Sequence, residues 1–173
     1  MICYPTETFY ALGIDPWNQM ARENLIALKG RPQEKELPMI ASEISMVARF
    51  CDIEDLRFHQ LAKKFWPGPL TLVLPSRDHS RSYAIRVSSH PVARQIASAL
   101  EKPVVSTSAN FSGQPSVSTP ADIPRIFQEQ IIFLIDAGVC PGGLPSTILT
   151  LLERPGRVLR EGSIPSEQLL GGL

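Results

Sequence analysis

Cysteine is scarce in this sequence. The 173 residues contain three cysteines, at positions 3, 51 and 140, and none of them belongs to a CxxC pair. The odd number and the wide spacing argue against a disulfide framework and against a zinc knuckle. We therefore expect all three to be small buried hydrophobic residues in a protein of the reducing cytoplasm.

Long apolar runs are also missing. No stretch approaches the roughly 18 apolar residues that are needed to span a membrane. Residues 1–5 contain no basic segment followed by an apolar one, so they do not resemble a signal peptide. The sequence therefore predicts a cytoplasmic protein with no membrane partner.

Charge of one sign is not in excess, because 17 Lys and Arg residues balance 17 Asp and Glu residues. A globally basic nucleic-acid binder is therefore not expected, although a local basic patch is compatible with this balance. The three histidines lack the HxH or HxxxH spacing of a metal site. The chain also has no GxSxG nucleophile motif and no GxxxxGK[ST] phosphate loop.

Proline, in contrast, is abundant and scattered. The 16 prolines make up about 9% of the chain, against a usual share of about 5%, which indicates many ordered turns. Hydrophobic residues amount to 43% and charged residues to 20%, as in an ordinary folded protein. The length is sufficient for one domain with a sizeable buried core.

Apolar strands alternate with amphipathic helices along the chain. We predict strands at 2–4, 37–41, 70–74, 83–87, 103–107 and 131–135, and a closing antiparallel pair at 147–152 and 157–159. We predict a loop at 6–13 and helices at 15–29, 42–50, 53–66, 91–100 and 122–128, the first capped by Asp15 and the second by Ser42. This order predicts an α/β fold with a mixed sheet.

Two polar segments follow the first predicted strand and the first predicted helix. The segment Thr6–Thr8 supplies two hydroxyls and a carboxylate at a strand end, where α/β proteins usually bind ligands. A turn with capping hydroxyls is the simpler explanation of that segment alone. Lys29 and Arg31 flank a glycine beyond a helix, which is either a favourable charge–dipole end or a phosphate clamp.

The segment 106–113 (Ser-Thr-Ser-Ala-Asn-Phe-Ser-Gly) places five hydrogen-bonding side chains in eight residues after an apolar strand. Small side chains allow backbone N–H groups to approach a ligand closely, and Gly113 has permissive dihedral angles. A serine-rich surface loop is the alternative. The core strand that precedes the segment makes this alternative less favoured, because it fixes the position of the loop.

A fourth polar group lies near the C-terminus, where Ser146 and Arg160 stand at the ends of the closing strand pair, and Thr71 opens an earlier strand. An arginine at a strand end can reach a phosphate, although a solvated arginine is the default. The candidate side chains are thus Lys, Arg, Ser, Thr and Asn, a set that binds phosphates and carboxylates. It indicates catalysis by positioning and electrostatics rather than by a covalent nucleophile.

Taken in order, these segments resemble those of the YrdC-like threonylcarbamoyl-AMP synthases. The resemblance is carried by Tyr4–Thr8 with Tyr10–Gly13, Lys29–Pro32, Pro67–Thr71, Ser106–Gly113, Pro145–Thr147 and Arg160–Gly162. Each motif is weak alone, but together they cover nearly the whole chain. The resemblance implies one YrdC-like domain over residues 1–173, with a twisted mixed open α/β sheet, flanking helices and a concave basic face.

The resemblance also implies an enzyme, a nucleotidyltransferase that forms threonylcarbamoyl-AMP and pyrophosphate from L-threonine, bicarbonate or CO₂, and ATP. Mg²⁺ is expected to stabilise charge on the phosphate oxygens. The product serves the threonylcarbamoyl modification of adenosine 37 in tRNA. Expected partners are therefore the downstream threonylcarbamoyl-transferase machinery and, through weak binding, tRNA or double-stranded RNA.

Roles for individual residues follow from the resemblance. The residues implied in catalysis are Lys29, Arg31, Ser108 and Asn110. The residues implied in ATP binding are Lys29, Arg31, Ser108, Ser116 and Arg160. The residues implied in threonine binding are Thr6, Thr8, Thr71, Ser106 and Ser146. The resemblance assigns no metal ligand.

The chain departs from the family pattern in several places. Ala11 stands where glycine is usual, residues 37–41 offer no histidine, and Ser88 stands where proline often follows Arg86 by two residues. The sequence also starts three residues before Tyr4, without the usual N-terminal helix and half-strand of the family. A non-catalytic paralogue that binds nucleotide, tRNA or double-stranded RNA is therefore the alternative to the synthase.

Overall fold

The computed structural model describes residues 1–30 and 36–170. The strands among these residues are β1 (Ile2–Tyr4), β2 (Ala11–Gly13), β3 (Met39–Ala41), β4 (Leu70–Pro75), β5 (Ser82–Val87), β6 (Val104–Val105), β7 (Thr107–Ser108), β8 (Phe133–Leu134), β9 (Thr147–Thr150) and β10 (Arg157–Arg160). The α-helices are α1 (Gln19–Lys29), α2 (Ile44–Phe50), α3 (Leu56–Phe65), α4 (Pro91–Ala99), α5 (Arg125–Gln128) and α6 (Ser166–Leu170), and a 3₁₀ turn spans Pro120–Asp122.

The strands form two mixed sheets. The smaller has the order β7-β2-β1-β8, and the larger has the order β10-β9-β4-β5-β3-β6. In the larger sheet β4 pairs antiparallel with β5 and parallel with β9, while β3 pairs parallel with β5. The predicted mixed α/β class and the predicted antiparallel closing pair, β9 with β10, are confirmed.

The chain passes from one sheet to the other within residues 104–108. β6 pairs with β3 in the larger sheet, and β7 pairs with β2 in the smaller one. Ser106 lies between them, and its N–H donates to the carbonyl of Pro38 at 2.8 Å. The predicted single strand at 103–107 is therefore two short strands, because each half of the segment pairs with a different sheet.

Helix α1 begins later than predicted. Asn18, not Asp15, is its N-cap, and the Asn18 side chain accepts a hydrogen bond from the N–H of Ala21 at 2.9 Å. The Asp15 carboxylate instead accepts from the N–H of Trp17 and pairs with Lys102. Gly30 ends the helix in the left-handed conformation with φ 60°, as glycine commonly does.

Other predicted boundaries also need correction. Ser42 does not cap α2: its Oγ contacts the sulfur of Met46 at 3.6 Å, and Glu43 takes the N-cap position. Helix α3 begins after Asp55, whose carboxylate caps the N–H of Arg57 at 2.9 Å. The predicted loop at 6–13 contains β2, a strand too short to show periodicity.

The core is continuous across both sheets and the helices that cover them. Ile40, Leu72, Ile85 and Leu149 are fully buried on neighbouring strands of the larger sheet, and Phe58 of α3 is fully buried with them. The three cysteines are free and buried, as predicted. In the described part of the chain, no helix combines the length and the apolar character that crossing a bilayer requires.

Burial should suppress the reactivity of the cysteines. It raises the pKa of Cys3 and of Cys51 to about 12, and it raises the pKa of Cys140. Almost no thiolate is then present at pH 8, and the thiolate is the reactive form. We predict that a thiol reagent labels none of the three rapidly in the folded protein and all three in denaturant, as followed by mass spectrometry. Rapid labelling of the folded chain would contradict this packing.

Candidate functional site

The structure brings Lys29 together with Ser108 and Asn110, three of the four residues implied in catalysis. The Lys29 ammonium donates to the carbonyl oxygens of Ser108 at 2.5 Å and Asn110 at 2.6 Å. The Ser108 hydroxyl donates to Oδ1 of Asn110 at 2.5 Å, and that oxygen lies 3.5 Å from the ammonium. These three residues are here called the Lys29 cluster. In it, the buried positive charge of Lys29 lies next to the side chains of Ser108 and Asn110.

The local chain geometry fixes the Lys29 cluster. The N–H of Ser112 donates to the carbonyl of Lys29 at 3.0 Å, so the loop after β7 closes against the end of α1. The side-chain amide of Asn110 donates to the carbonyl of Gln114, and Gly113 adopts a φ of 83° in the turn between them. The cluster is therefore held by backbone contacts before any ligand is bound.

Thr6 and Thr8 form a second cluster, in the loop between β1 and β2. The Thr6 hydroxyl donates to the carbonyl of Phe9 at 2.7 Å and lies 3.1 Å from the Thr8 hydroxyl. The Thr6 oxygen also accepts from the N–H groups of Thr8 and Phe9, both at 3.2 Å, so the backbone of the loop engages this hydroxyl fully. Both threonines are buried, and the carbonyl of Thr8 accepts the N–H of Gly142 at 2.8 Å, which brings the loop 138–145 alongside.

Glu7 lies between these threonines and forms a buried ion pair with Arg86. Its carboxylate accepts from the guanidinium of Arg86 through Oε1 and from the hydroxyl of Ser88 through Oε2. The two charged side chains are 11% and 7% exposed, so water screens the pair weakly. The sequence reasoning did not include Glu7 and Arg86 among the site residues. An arginine inside the apolar strand 83–87 was the available signal, because a buried cation needs an anion.

Ser106 and Tyr4 lie at the crossing between the sheets, within the electrostatic influence of the Glu7–Arg86 pair. The Tyr4 hydroxyl donates to the carbonyl of Val105 at 3.1 Å and lies beside the Ser106 side chain. Burial raises the pKa of Tyr4, while the Ser106 hydroxyl and the charge of Arg86 act in the opposite direction. Tyr4 is therefore a neutral, fully buried donor that holds the start of the loop 106–113 against β1.

Thr71, Ser146 and Arg160 form a third cluster, at the start of β4 and β9. The hydroxyls of Thr71 and Ser146 lie 2.9 Å apart. The Arg160 guanidinium donates to the Ser146 carbonyl at 2.7 and 3.1 Å and to its hydroxyl at 3.1 Å. Ser146 thus joins a residue predicted to bind threonine, Thr71, to one predicted to bind nucleotide, Arg160.

A glycine is required directly after this cluster. A Cβ at Gly162 would lie 2.1 Å from the carbonyl oxygen of Pro145 and 2.7 Å from the carbonyl carbon of Ser146. The chain that leaves β10 therefore packs directly against the backbone of residues 145–146. This close approach places Arg160, two residues earlier, within hydrogen-bond reach of Ser146.

Among the described residues, the predicted nucleotide-binding residue Ser116 is not joined to these clusters. Ser116 lies partly exposed in the loop after Pro115, next to Val117, whose carbonyl accepts the N–H of Tyr10 at 3.0 Å. Arg31, the second cation of the predicted clamp, lies outside the described residues. Within residues 1–30 and 36–170, no three His, Cys, Asp or Glu side chains are grouped closely enough to hold a metal ion.

Comparison with known proteins gives consistent matches. The family model for Sua5, YciO and YrdC proteins, described as "Telomere recombination", matches residues 1–162. The structure of P. abyssi Sua5 complexed with L-threonine is 31% identical with a TM-score of 0.89, over 98% of this chain and 53% of that one. E. coli YciO is 25% identical with a TM-score of 0.85, over 98% and 85% of the two chains.

A third solved structure agrees with these two. The MTH1692 protein from Methanobacterium thermoautotrophicum is 32% identical with a TM-score of 0.71, over 95% of this chain and 81% of that one. The present chain spans about half the length of the P. abyssi Sua5 chain. The similarity therefore concerns one part of Sua5 and nearly all of this chain.

The Glu7–Arg86 pair predicts a large effect on stability. Arg86→Met leaves the Glu7 carboxylate buried without its cation, and we expect the free energy of unfolding to fall by about 3–5 kcal/mol. Arg157→Met is the matched control, because the Arg157–Glu153 pair is 65% and 50% exposed and should contribute at most about 1 kcal/mol. Denaturant unfolding measures both. Equal losses of the free energy of unfolding in the two variants would show that the buried pair contributes no more to stability than the exposed one.

Proposed function

The chain belongs to the Sua5/YciO/YrdC family, and we propose that it is an L-threonylcarbamoyladenylate synthase. The substrates would be L-threonine, bicarbonate or CO₂, and ATP, and the products threonylcarbamoyl-AMP and pyrophosphate. The observation that carries the proposal is the agreement with P. abyssi Sua5 complexed with L-threonine, at 31% identity over 98% of this chain.

Paired hydroxyls support L-threonine as the amino acid. Thr6 with Thr8 and Thr71 with Ser146 are two buried pairs of hydroxyls on short, rigid side chains. Such groups can match the ammonium, carboxylate and hydroxyl of threonine. We assign Thr6, Thr8, Thr71, Ser106 and Ser146 to threonine on this ground and on the resemblance.

The Lys29 cluster and Arg160 support a nucleotide beside the threonine. Lys29 brings a buried positive charge, and Ser108 and Asn110 bring polar side chains on a loop that is fixed in advance. We assign Lys29, Arg31, Ser108, Ser116 and Arg160 to ATP. Arg160 contacts Ser146, so the nucleotide part and the threonine part of the site would meet at that serine.

The proposed reaction needs no enzyme nucleophile. The threonine amine adds to CO₂ and loses a proton to solvent, which gives a carbamate, and a carbamate oxygen then forms a bond to the α-phosphorus of ATP. The bond from that phosphorus to the bridging oxygen breaks, and pyrophosphate leaves with the electron pair. The catalytic set Lys29, Arg31, Ser108 and Asn110 would orient the phosphates and stabilise their charge, which is the main requirement of phosphoryl chemistry.

Mg²⁺ fits this site as a companion of ATP rather than as a resident ion. The described residues contain no group of three His, Cys, Asp or Glu side chains that could hold it, and Glu7 is engaged by Arg86 and Ser88. Mg²⁺ commonly binds through substrate phosphates and keeps several waters. The product would pass to a threonylcarbamoyl-transferase that acts on adenosine 37 of tRNA, and any contact of this chain with RNA would be weak.

The proposed activity predicts a specific order of amino acids. Release of pyrophosphate from ATP, with Mg²⁺ and bicarbonate, should be stimulated most by threonine, then by serine, and least by valine. Loss of the methyl costs about 1–3 kcal/mol in a fitted pocket, whereas loss of the hydroxyl leaves buried polar groups unpaired. Stimulation by valine equal to that by threonine would contradict hydroxyl recognition. Nucleotide binding without stimulation by any of the three would support the non-catalytic paralogue.

If Arg160 binds ATP, its replacement should weaken ATP binding without disturbing the fold. Its side chain is exposed and contacts Ser146, so Arg160→Ala should fold normally and bind ATP about 10- to 100-fold more weakly, the range for a lost charged hydrogen bond. Arg157→Ala, on the same strand and paired with Glu153, is the control and should bind ATP normally. Calorimetric titration compares them. Equal ATP affinity in both variants would remove Arg160 from the site.

A further inference from the structure

Ser88 occupies a buried position at the point where β5 ends and α4 is about to begin. Its side chain is fully buried, and its hydroxyl donates to Oε2 of Glu7. The neighbouring Arg86 donates to the other oxygen, Oε1. Two side chains from one strand end therefore hold the two oxygens of a single carboxylate, one by charge and one by a neutral hydroxyl.

The backbone fixes the direction of the Ser88 hydroxyl. The N–H of His90 donates to Ser88 Oγ at 3.1 Å. A serine hydroxyl carries one hydrogen and two lone pairs, so its oxygen can accept the His90 N–H and still donate its own hydrogen in another direction. That direction is the Glu7 carboxylate, and the two hydrogen bonds orient the hydroxyl completely.

A carboxylate held at one oxygen can still turn about the end of its side chain, whereas one held at both oxygens cannot. Glu7 lies between Thr6 and Thr8 in sequence, so a fixed carboxylate anchors the loop that carries both hydroxyls to the end of β5. Proline, which has neither a hydroxyl nor a donor N–H, cannot make the Ser88 contact. The contact is therefore a feature of this chain's own sequence.

We propose that Ser88 is a positioning residue for threonine binding, acting through Glu7 to hold the segment Thr6–Thr8 in its binding geometry. This role rests on the proposed function, because it presumes that Thr6 and Thr8 bind the amino acid. Ser88 itself contacts the Glu7 carboxylate and needs no contact with the substrate. Its removal should weaken threonine binding and leave ATP binding, at the Lys29 cluster, nearly unchanged.

A purely structural role would give a different pattern. If Ser88 only joined β5 to α4, its loss would lower the melting temperature, and any loss of affinity would affect threonine and ATP alike. Residues in one hydrogen-bonded network also couple, whereas independent residues do not. The effect of removing Ser88 should therefore depend on the charge of Glu7.

The test compares Ser88→Ala with Ser89→Ala, its exposed neighbour, by calorimetric titration with L-threonine and, separately, with ATP. For Ser88→Ala we expect an approximately tenfold rise in the Kd for threonine, and a change of no more than about twofold in the Kd for ATP. Ser89→Ala should match the wild type. Ser88→Cys, similar in size but a weaker donor, should fall between serine and alanine.

A double-mutant cycle with Glu7→Gln completes the experiment. A hydrogen bond to a neutral amide is roughly half as strong as one to a carboxylate, so Ser88→Ala should have a clearly smaller effect in the Glu7→Gln background. Equal effects in both backgrounds, or equal losses for threonine and ATP, would overturn the positioning role. If Ser88→Ala and Ser88→Cys both bind threonine like the wild type, the positioning role is overturned and the proposed function is not. A wild type that binds no threonine would overturn the proposed function and this role together.

Discussion

The buried ion pair between Glu7 and Arg86 ties the loop that follows β1 in the smaller sheet to the end of β5 in the larger one. The two residues are 79 positions apart in sequence, and both side chains are largely removed from water. Separation of the two sheets at this point would leave a buried charge without its partner, which is strongly destabilising. The pair therefore anchors the loop that carries the Thr6 and Thr8 hydroxyls to the larger sheet.

The electrostatic influence of Glu7 extends to other groups near the loop. Burial lowers the pKa of His90, and the negative charge of Glu7 opposes that shift. Burial raises the pKa of Cys140, and Glu7 adds to that shift. The region thus contains an arginine, a neutral histidine and hydroxyl groups around one carboxylate, and the positive charge of Lys29 lies in a separate cluster. Groups that are oriented before a ligand arrives are what electrostatic catalysis requires.

Much of the framework could be predicted because it depends on local pattern. The strands at 70–74 and 83–87 and the closing pair follow from apolar runs bounded by turn residues, and the structure contains them with small changes at the ends. β2 could not be predicted, because three buried residues show no period and owe their strand geometry to pairing on both sides. The division into two sheets depends on pairings that a single strand pattern does not reveal.

The candidate site, too, could be predicted only in part, because its contacts join residues that are distant in sequence. The sequence grouped Lys29 with Ser108 and Asn110 only through a resemblance, and the structure places them in contact. The Glu7–Arg86–Ser88 contact was not predicted, because nothing local indicates which cation neutralises a given carboxylate. A crystal structure of this chain with L-threonine and a non-hydrolysable ATP analogue would locate the proposed site directly. We expect threonine within hydrogen-bond distance of Thr8 or Ser146 and phosphates beside Lys29 and Ser108, whereas ligands bound away from these residues would show that the site is wrongly placed.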